Sequence, residues 1–444
     1  MLQEVRESFR ISLPLVITQF TQMGIGVTDT LMIGWLGPTE LAALTLATTL
    51  LFIFYIWIYG FPNAGVALIS QARGRRDLKF ARRAFRMGIW LVTISSLISI
   101  LVLTQVRPIL NFFGQEGELI ILAERYMVIG KWMILPFMLF TMLRAFMMSV
   151  DRIYAIFWIS LLGLIFNAFL NYLLIFGNLG APRLEIEGAS IASLGSSSIM
   201  LALMFGYSIS TPYIRKFQLF KGIYKLDGIV LFRLTKLGFP IGLTTLAEVG
   251  SFSAAALMMG WVGKIELAAH GILMQIFGLA FMIPLGISQA ATIRIGTAMG
   301  RKDILQVNNS RMSIYLIGFI SGLAIVVALF FLGDYFIKLF LDDSNKDSDQ
   351  VLKFALTFLI FGLIFHICDC GQILLIGLLR GLSDTSIPFY ICLVSYWVFA
   401  VPMSYLLSVY SSLGGTGIWI GLGIGMAICF FSLLIRFEGL RCKL

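Results

Sequence analysis

Long apolar runs, separated by short polar stretches, recur along the whole chain. A bilayer core about 30 Å thick needs roughly 20 apolar residues per helix, so each run predicts a membrane-spanning helix. Twelve are predicted, over 11–36, 41–71, 84–106, 119–142, 154–177 and 187–211, then 237–262, 267–298, 312–332, 350–378, 386–408 and 415–436. The one longer polar connection, 212–236, divides the chain into a six-helix lobe at 1–211, a cytoplasmic linker and a second six-helix lobe at 237–444. The fold class is all-α integral membrane.

Composition agrees with this pattern. Apolar residues fill 59% of 444 positions and charged residues 13%, whereas soluble domains carry about a quarter charged. The formal charge of +10 raises the question of nucleic acid. The basic residues, however, sit in alternate loops: Arg73 to Arg86 after the second span, Arg215 to Lys236 after the sixth, and Arg436, Arg441 and Lys443 at the end. The intervening loops are acidic, with Glu116 and Glu118, Glu185 and Glu187, then Asp342, Asp343, Asp347 and Asp349. By the positive-inside rule both termini face the cytoplasm, as expected of a multi-pass protein of the cell inner membrane. The basic excess therefore reports topology. The charged stretch Met1 to Arg10 leads into an apolar run too long for a signal-peptide core. Five cysteines, an odd number lying in or beside apolar runs, imply no disulfide framework.

The chain repeats itself. Shifted by 226 residues, 14–77 aligns with 240–303 without a gap, and nineteen of the 64 positions are identical. They include Trp35 over Trp261, Glu40 to Ala43 over Glu266 to Ala269, and Gly74, Arg75 and Asp77 over Gly300, Arg301 and Asp303. Membrane composition alone does not place tryptophan, glutamate and aspartate in register. Farther on the offset becomes 233, pairing Tyr172 to Leu174 with Tyr405 to Leu407. An even number of spans per repeat gives both copies the same orientation, related by a pseudo-two-fold axis along the membrane normal. That arrangement places a substrate site near the midplane between the lobes.

Three carboxylates lie well inside apolar runs: Asp29 in the first span, Glu248 in the seventh and Asp369 in the tenth. Each costs roughly 2.5–3.5 kcal/mol on insertion scales, so each calls for a reason. Glu248 stands over Gln22 in the repeat and Asp29 over Ala255, so the lobes differ at their acidic positions. Asn167 and Asn171, spaced i, i+4, share one face of the fifth span. They can hydrogen-bond Asp29, coordinate a small cation, or simply join helices. The string HICDC at 366–370 suggests a metal, but no second ligand cluster accompanies it, and a sodium or proton site at Asp369, with His366 and Cys370 beside it, is the stronger reading. No phosphate-binding loop or nucleophile elbow occurs, so the chain reads as a non-enzyme that ATP does not drive.

The stretches "QMGIGVTDTLMIGWLG", "FNAFLNYLLIFG", "GFPIGLTTLAEVGSF", "CDCGQILLIGLLRGLSDT" and "YWVFAVPMSYLL" resemble the multidrug and toxic compound extrusion (MATE) family, in its bacterial NorM-like branch. The resemblance implies a V-shaped twelve-helix antiporter that exports amphipathic, often cationic compounds while sodium or protons move inward. It makes Asp29 the acidic residue of the first lobe, with Asn167, Asn171 and Ser193 as companions. It makes Glu248 and Asp369 the cation-binding pair of the second lobe, where transported sodium could sit. The resemblance also places Phe365, four residues before Asp369, at this cation-binding site, where NorM-like members usually have Tyr, so a hydroxyl ligand or hydrogen bond is lost. No cofactor is implied beyond the coupling ion, sodium or proton, and a monomer in the lipid bilayer is expected. The alternative is a lipid-linked oligosaccharide flippase of the same superfamily, for which Arg125 and Lys131 would be the cationic candidates. A buried carboxylate suits ion coupling because it can hold a proton or, with oxygen ligands beside it, a sodium ion.

Overall fold

The computed structural model describes residues 2–115, 117–341, 347–411 and 413–442. Glu116, Asp342, Asp343 and Lys443, used above as topology markers, lie outside them. Twelve helices among the described residues are long and apolar enough to cross a membrane. In the first half they are α1 (Gln3–Gly34), α2 (Pro38–Gly74), α3 (Leu78–Leu103), α4 (Gly117–Ser149), α5 (Ile153–Phe176) and α6 (Glu185–Ser210). The second half has α7 (Gly228–Val262), α8 (Lys264–Arg301), α9 (Ile304–Lys338), α10 (Ser348–Gly381), α11 (Ser386–Val409) and α12 (Gly415–Arg441). Every predicted span is present. Several helices run a turn or more past the predicted ends, because their terminal turns are polar and carry no hydropathy signal.

The repeat is visible in local geometry. Asp77 caps α3 by accepting the Phe80 N–H at 2.9 Å, and Asp303 caps α9 by accepting that of Gln306 at 2.9 Å. The residues before these caps, Arg76 (φ 60°) and Lys302 (φ 58°), both take the left-handed conformation that turns the chain back. A side-chain oxygen at the N-cap satisfies one of the helix's orphan N–H groups and is worth about 1 kcal/mol.

By packing, the chain forms two units. One is Ile17–Gly242; the other combines Met1–Val16 with Leu243–Leu444. This division differs from the expected 1–211, 212–236 and 237–444. The 212–236 segment belongs to the first unit, where Arg86 donates to Gly222 O (3.0 Å) and Trp90 Nε1 to Ile223 O (2.8 Å). The described residues of α1 up to Val16 pack with the second unit. Both crossing points, 16/17 and 242/243, are related by the repeat offset of 226.

Each displaced helix end is fastened in the same two ways. In the first unit, Gly60 of α2 lies so near α7 that a Cβ on it would come within 2.6 Å of Gly242 N and closer still to Gly238 O. In the second unit, its repeat equivalent Gly286 of α8 lies so near α1 that a Cβ would meet Val16 Cα at 2.7 Å. Small residues let helix backbones approach where the surrounding lipid gives no hydrophobic drive to associate. Ion pairs secure the helix starts. Arg83 of α3 holds Asp227 just ahead of α7, and buried Arg294 of α8 holds Glu4 and Glu7 (3.3 Å) of α1. Arg83 keeps the Asp227 carboxyl below the usual aspartate range.

Candidate functional site: two unlike carboxylate clusters

In the first unit Asp29 is buried on α1 and accepts three hydrogen bonds. Asn167 Nδ2 and Asn171 Nδ2 of α5 reach its Oδ1 at 3.1 and 2.6 Å, and Ser193 Oγ of α6 reaches its Oδ2 at 2.6 Å. The i, i+4 spacing on α5 places both amides on the same side, 3.3 Å apart. Hydrogen bonds to a charged group contribute about 1.5–3 kcal/mol each, which offsets part of the cost of burying the carboxylate. Two buried phenols absent from the sequence reading, Tyr55 of α2 and Tyr126 of α4, lie close enough to Asp29 to feel its charge. Their identity as tyrosines carried no signal, because aromatic residues are abundant in the spans.

A second buried polar group lies nearby along α1. Arg144 of α4 donates to Gln22 Oε1 at 2.6 Å and Gln19 Oε1 at 2.7 Å. Gln22 is the repeat partner of Glu248.

In the second unit Glu248 is buried on α7, and Gln372 of α10 donates from Nε2 to its Oε1 at 2.9 Å. Asp369, one turn earlier on α10, lies near both residues, and its Oδ1 is buried with no hydrogen-bond partner. The structure thus brings Glu248 and Asp369 together across 121 residues of sequence, with one buried carboxylate oxygen lacking a hydrogen-bond partner. Arg380, farther along α10, also acts on Glu248. Gln372 was not singled out in the sequence, where one glutamine in an apolar run looks like any other interhelical contact.

The remaining predicted residues are placed as follows. Phe365 packs among aromatic rings, with centroids 5.9 Å from Phe252, 6.5 Å from Phe277 and 6.0 Å from Trp419. His366 Nε2 is 3.4 Å from Cys370 Sγ on the same helix. Among the described residues no group of three or more His, Cys, Asp or Glu could hold a metal ion.

Equivalent helices carry the two clusters at unlike positions. The contact of Gly24 with Leu164 recurs as Gly250 with Trp397, and that of Gly188 with Leu174 O as Gly417 with Leu407 O, which fixes the registers of α5 on α11 and α6 on α12. In those registers Asp29, Asn167, Asn171 and Ser193 correspond to Ala255, Ala400, Ser404 and Leu422. The helix framework was retained while the polar groups moved. Helix α11 carries one irregularity, a π-helical stretch at Ser395–Ala400 just ahead of Pro402. A proline there supplies no N–H to the preceding turn, and π-bulges are frequent at functional sites. Trp397, within it, donates to Ala247 O at 3.1 Å beside Glu248.

Comparison with known proteins accords with this geometry. The MatE family profile matches residues 14–173 and again 240–406, with starts 226 and ends 233 residues apart, the two offsets of the internal repeat. The probable multidrug resistance protein NorM of Rhizobium meliloti (strain 1021) is 39% identical over 433 residues, covering 97% of this chain and 92% of that protein. Its namesake in Agrobacterium fabrum (strain C58) is 34% identical over 429 residues, covering 96% and 92%. The fold matches the crystal structure of the eukaryotic MATE transporter AtDTX14 with a TM-score of 0.88 at 19% identity, over 100% of this chain and 98% of that one. A mutant of the Vibrio cholerae MATE transporter VcmN matches with a TM-score of 0.89 at 18% identity, over 100% and 98%. Two matches to one family profile, full-length relatives and a shared twelve-helix fold make this chain a member of the MatE family, a multi-pass membrane transporter and not an enzyme.

Proposed function

We propose that the protein is an ion-coupled antiporter of the cell inner membrane that exports amphipathic, often cationic drugs or toxic compounds by alternating access. The names of its NorM relatives support export of several drugs. The observation that carries ion coupling is the second cluster, where two buried carboxylates share one neighbourhood and one oxygen of Asp369 has no partner. A lone carboxylate inside a membrane tends to protonate, whereas two converging on a cation can stay ionised and share its charge. Glu248 and Asp369 are the proposed coupling pair. Asp29, held by Asn167, Asn171 and Ser193, is the proposed second titratable site, in the substrate-handling lobe. Both termini are assigned to the cytoplasm by the basic loops. One chain carries both lobes, so a monomer suffices.

The flippase alternative has less support. Arg125 is exposed and Lys131 half-buried, and the buried cation of α4 is Arg144, engaged by Gln19 and Gln22. The deciding experiment is dye efflux from proteoliposomes with sodium and pH gradients imposed separately. Efflux driven by either gradient supports the antiporter and names the ion. Efflux under neither gradient, with translocation of a lipid-linked sugar, would establish the flippase instead.

A further inference from the structure

Behind the Glu248–Gln372 pair stands a second row of polar side chains. Cys429 of α12 lies 3.7 Å from Gln372 Oε1, to which its thiol can donate, 3.8 Å from the Tyr396 hydroxyl and 3.5 Å from Cys392 Sγ, both of α11. Gln372 in turn donates to Glu248 Oε1 at 2.9 Å. Cys429, Gln372 and Tyr396 are all buried. A continuous hydrogen-bonded row therefore runs from α12 through α10 to α7, shielded from solvent.

A carboxamide in this position has two useful orientations. With its NH2 toward Glu248 it serves a carboxylate, which can only accept. Turned over, its carbonyl serves a protonated carboxyl, which has a hydrogen to give. The turn keeps the far side of the amide satisfied only if the group there can both donate and accept, and it also withdraws the hydrogen bond that Gln372 shares with Asp369. Thiol and phenol can each do so.

The first unit shows what this region looks like without that capacity. In the established register Tyr396 corresponds to Gly163 and Cys429 to Met200. Those two also touch, since a Cβ on Gly163 would lie 2.5 Å from Met200 Cγ. Small against large in one unit has become large against small in the other, which keeps the volume filled. Only the second arrangement supplies proton-bearing groups, because a thioether accepts weakly and never donates.

We propose that Gln372 senses the charge of Glu248, and that Cys429 and Tyr396 are positioning residues that hold its amide in either orientation. The inference rests on Glu248 as the coupling carboxylate. An ionised Glu248, with or without sodium, keeps the NH2 inward; protonation reverses the amide and every hydrogen bond behind it. Proton uptake is thereby relayed to α12, and sodium uptake is not. The other titratable or charged groups near Glu248 are Asp369 and Arg380 on α10 and Cys392 and Tyr396 on α11.

The test compares sodium and pH dependence of dye efflux in proteoliposomes of the full chain. The variants are Gln372→Met, Cys429→Ala, Cys429→Ser and Glu248→Gln, with dye binding measured separately. Gln372→Met should lower the half-saturating proton concentration about tenfold, the excess of a hydrogen bond to the charged carboxylate over one to the neutral carboxyl. Cys429→Ala should move it the same way by less, and Cys429→Ser, which donates and accepts, should restore it. Dye affinity should not change. The double change Gln372→Met with Cys429→Ala should be no worse than Gln372→Met alone, since one row cannot be broken twice. If Gln372→Met does not fold, the alanine and serine variants of Cys429 give the same reading. Unchanged pH dependence in the Gln372 and Cys429 variants, with coupling lost in Glu248→Gln, overturns this inference and leaves the coupling assignment standing. Full ion dependence in Glu248→Gln overturns both.

Discussion

Gly60 and Gly286, 226 residues apart, occupy equivalent places in the repeat, and each receives the backbone of a helix whose start lies in the opposite half of the sequence. Alanine at either position should destabilise the protein by about 1–3 kcal/mol, the usual cost of overpacking, because backbone atoms stand where the methyl would go. Gly271, where a Cβ meets nothing within 4 Å, is the control. Thermal unfolding in detergent reads the difference; equal melting temperatures for Gly60→Ala and Gly271→Ala would mean the close approach carries no weight.

Asp29→Asn should abolish or strongly reduce transport while leaving the fold intact, since it removes the titratable group and keeps the shape. Ser193→Ala removes one donor to a buried carboxylate and should cost about 1–3 kcal/mol of stability. Ion-driven efflux at the parent rate from Asp29→Asn proteoliposomes would remove Asp29 from the mechanism.

Glu248→Gln and Asp369→Asn should each lose most sodium-dependent protection, and the double mutant should lose little more, because members of one site are non-additive. Calorimetry or protection from labelling measures this. Additive losses would indicate two separate sites. Phe365→Tyr should leave sodium binding unchanged, since the ring is already held by Phe252, Phe277 and Trp419. Tighter sodium binding would show that its hydroxyl reaches the pair.

The Arg83–Asp227 ion pair predicts a pH dependence of stability. Asp227 is held below its ordinary value of 3.8, chiefly by its hydrogen bond to Arg83. Its contribution is therefore fully present above that value and is lost as the pH falls through the lower folded-state value. The melting-temperature gap between the parent protein and Asp227→Ala should be constant near neutrality and narrow below about pH 4. A gap that persists unchanged at pH 3 would assign the effect to packing.

Topology is checked with an impermeant thiol reagent on single-cysteine variants. Lys225→Cys should label only from the cytoplasm and Leu179→Cys only from outside, as the basic and acidic loops require. The reverse pattern would invert the assignment.

The sequence by itself determined the class of this protein, its twelve spans, their duplication and the three carboxylates. Hydropathy, charge asymmetry and a repeat with tryptophan and glutamate in register are properties of residue order, legible without contacts. It also indicated Asn167 and Asn171 as one helical face, because i, i+4 geometry is local. Tertiary structure decided which distant residues meet. Whether Ser193 or Gln372 touches a carboxylate depends on how helices far apart in sequence pack, and neither residue type is unusual in a span. The same holds for the helix ends. Hydropathy reads α1 and α7 as continuous spans, yet the first turns of each pack with the other half of the sequence. Only the close backbone approach at Gly60 and Gly286, and the ion pairs of Asp227 and Arg294, settle where those turns belong.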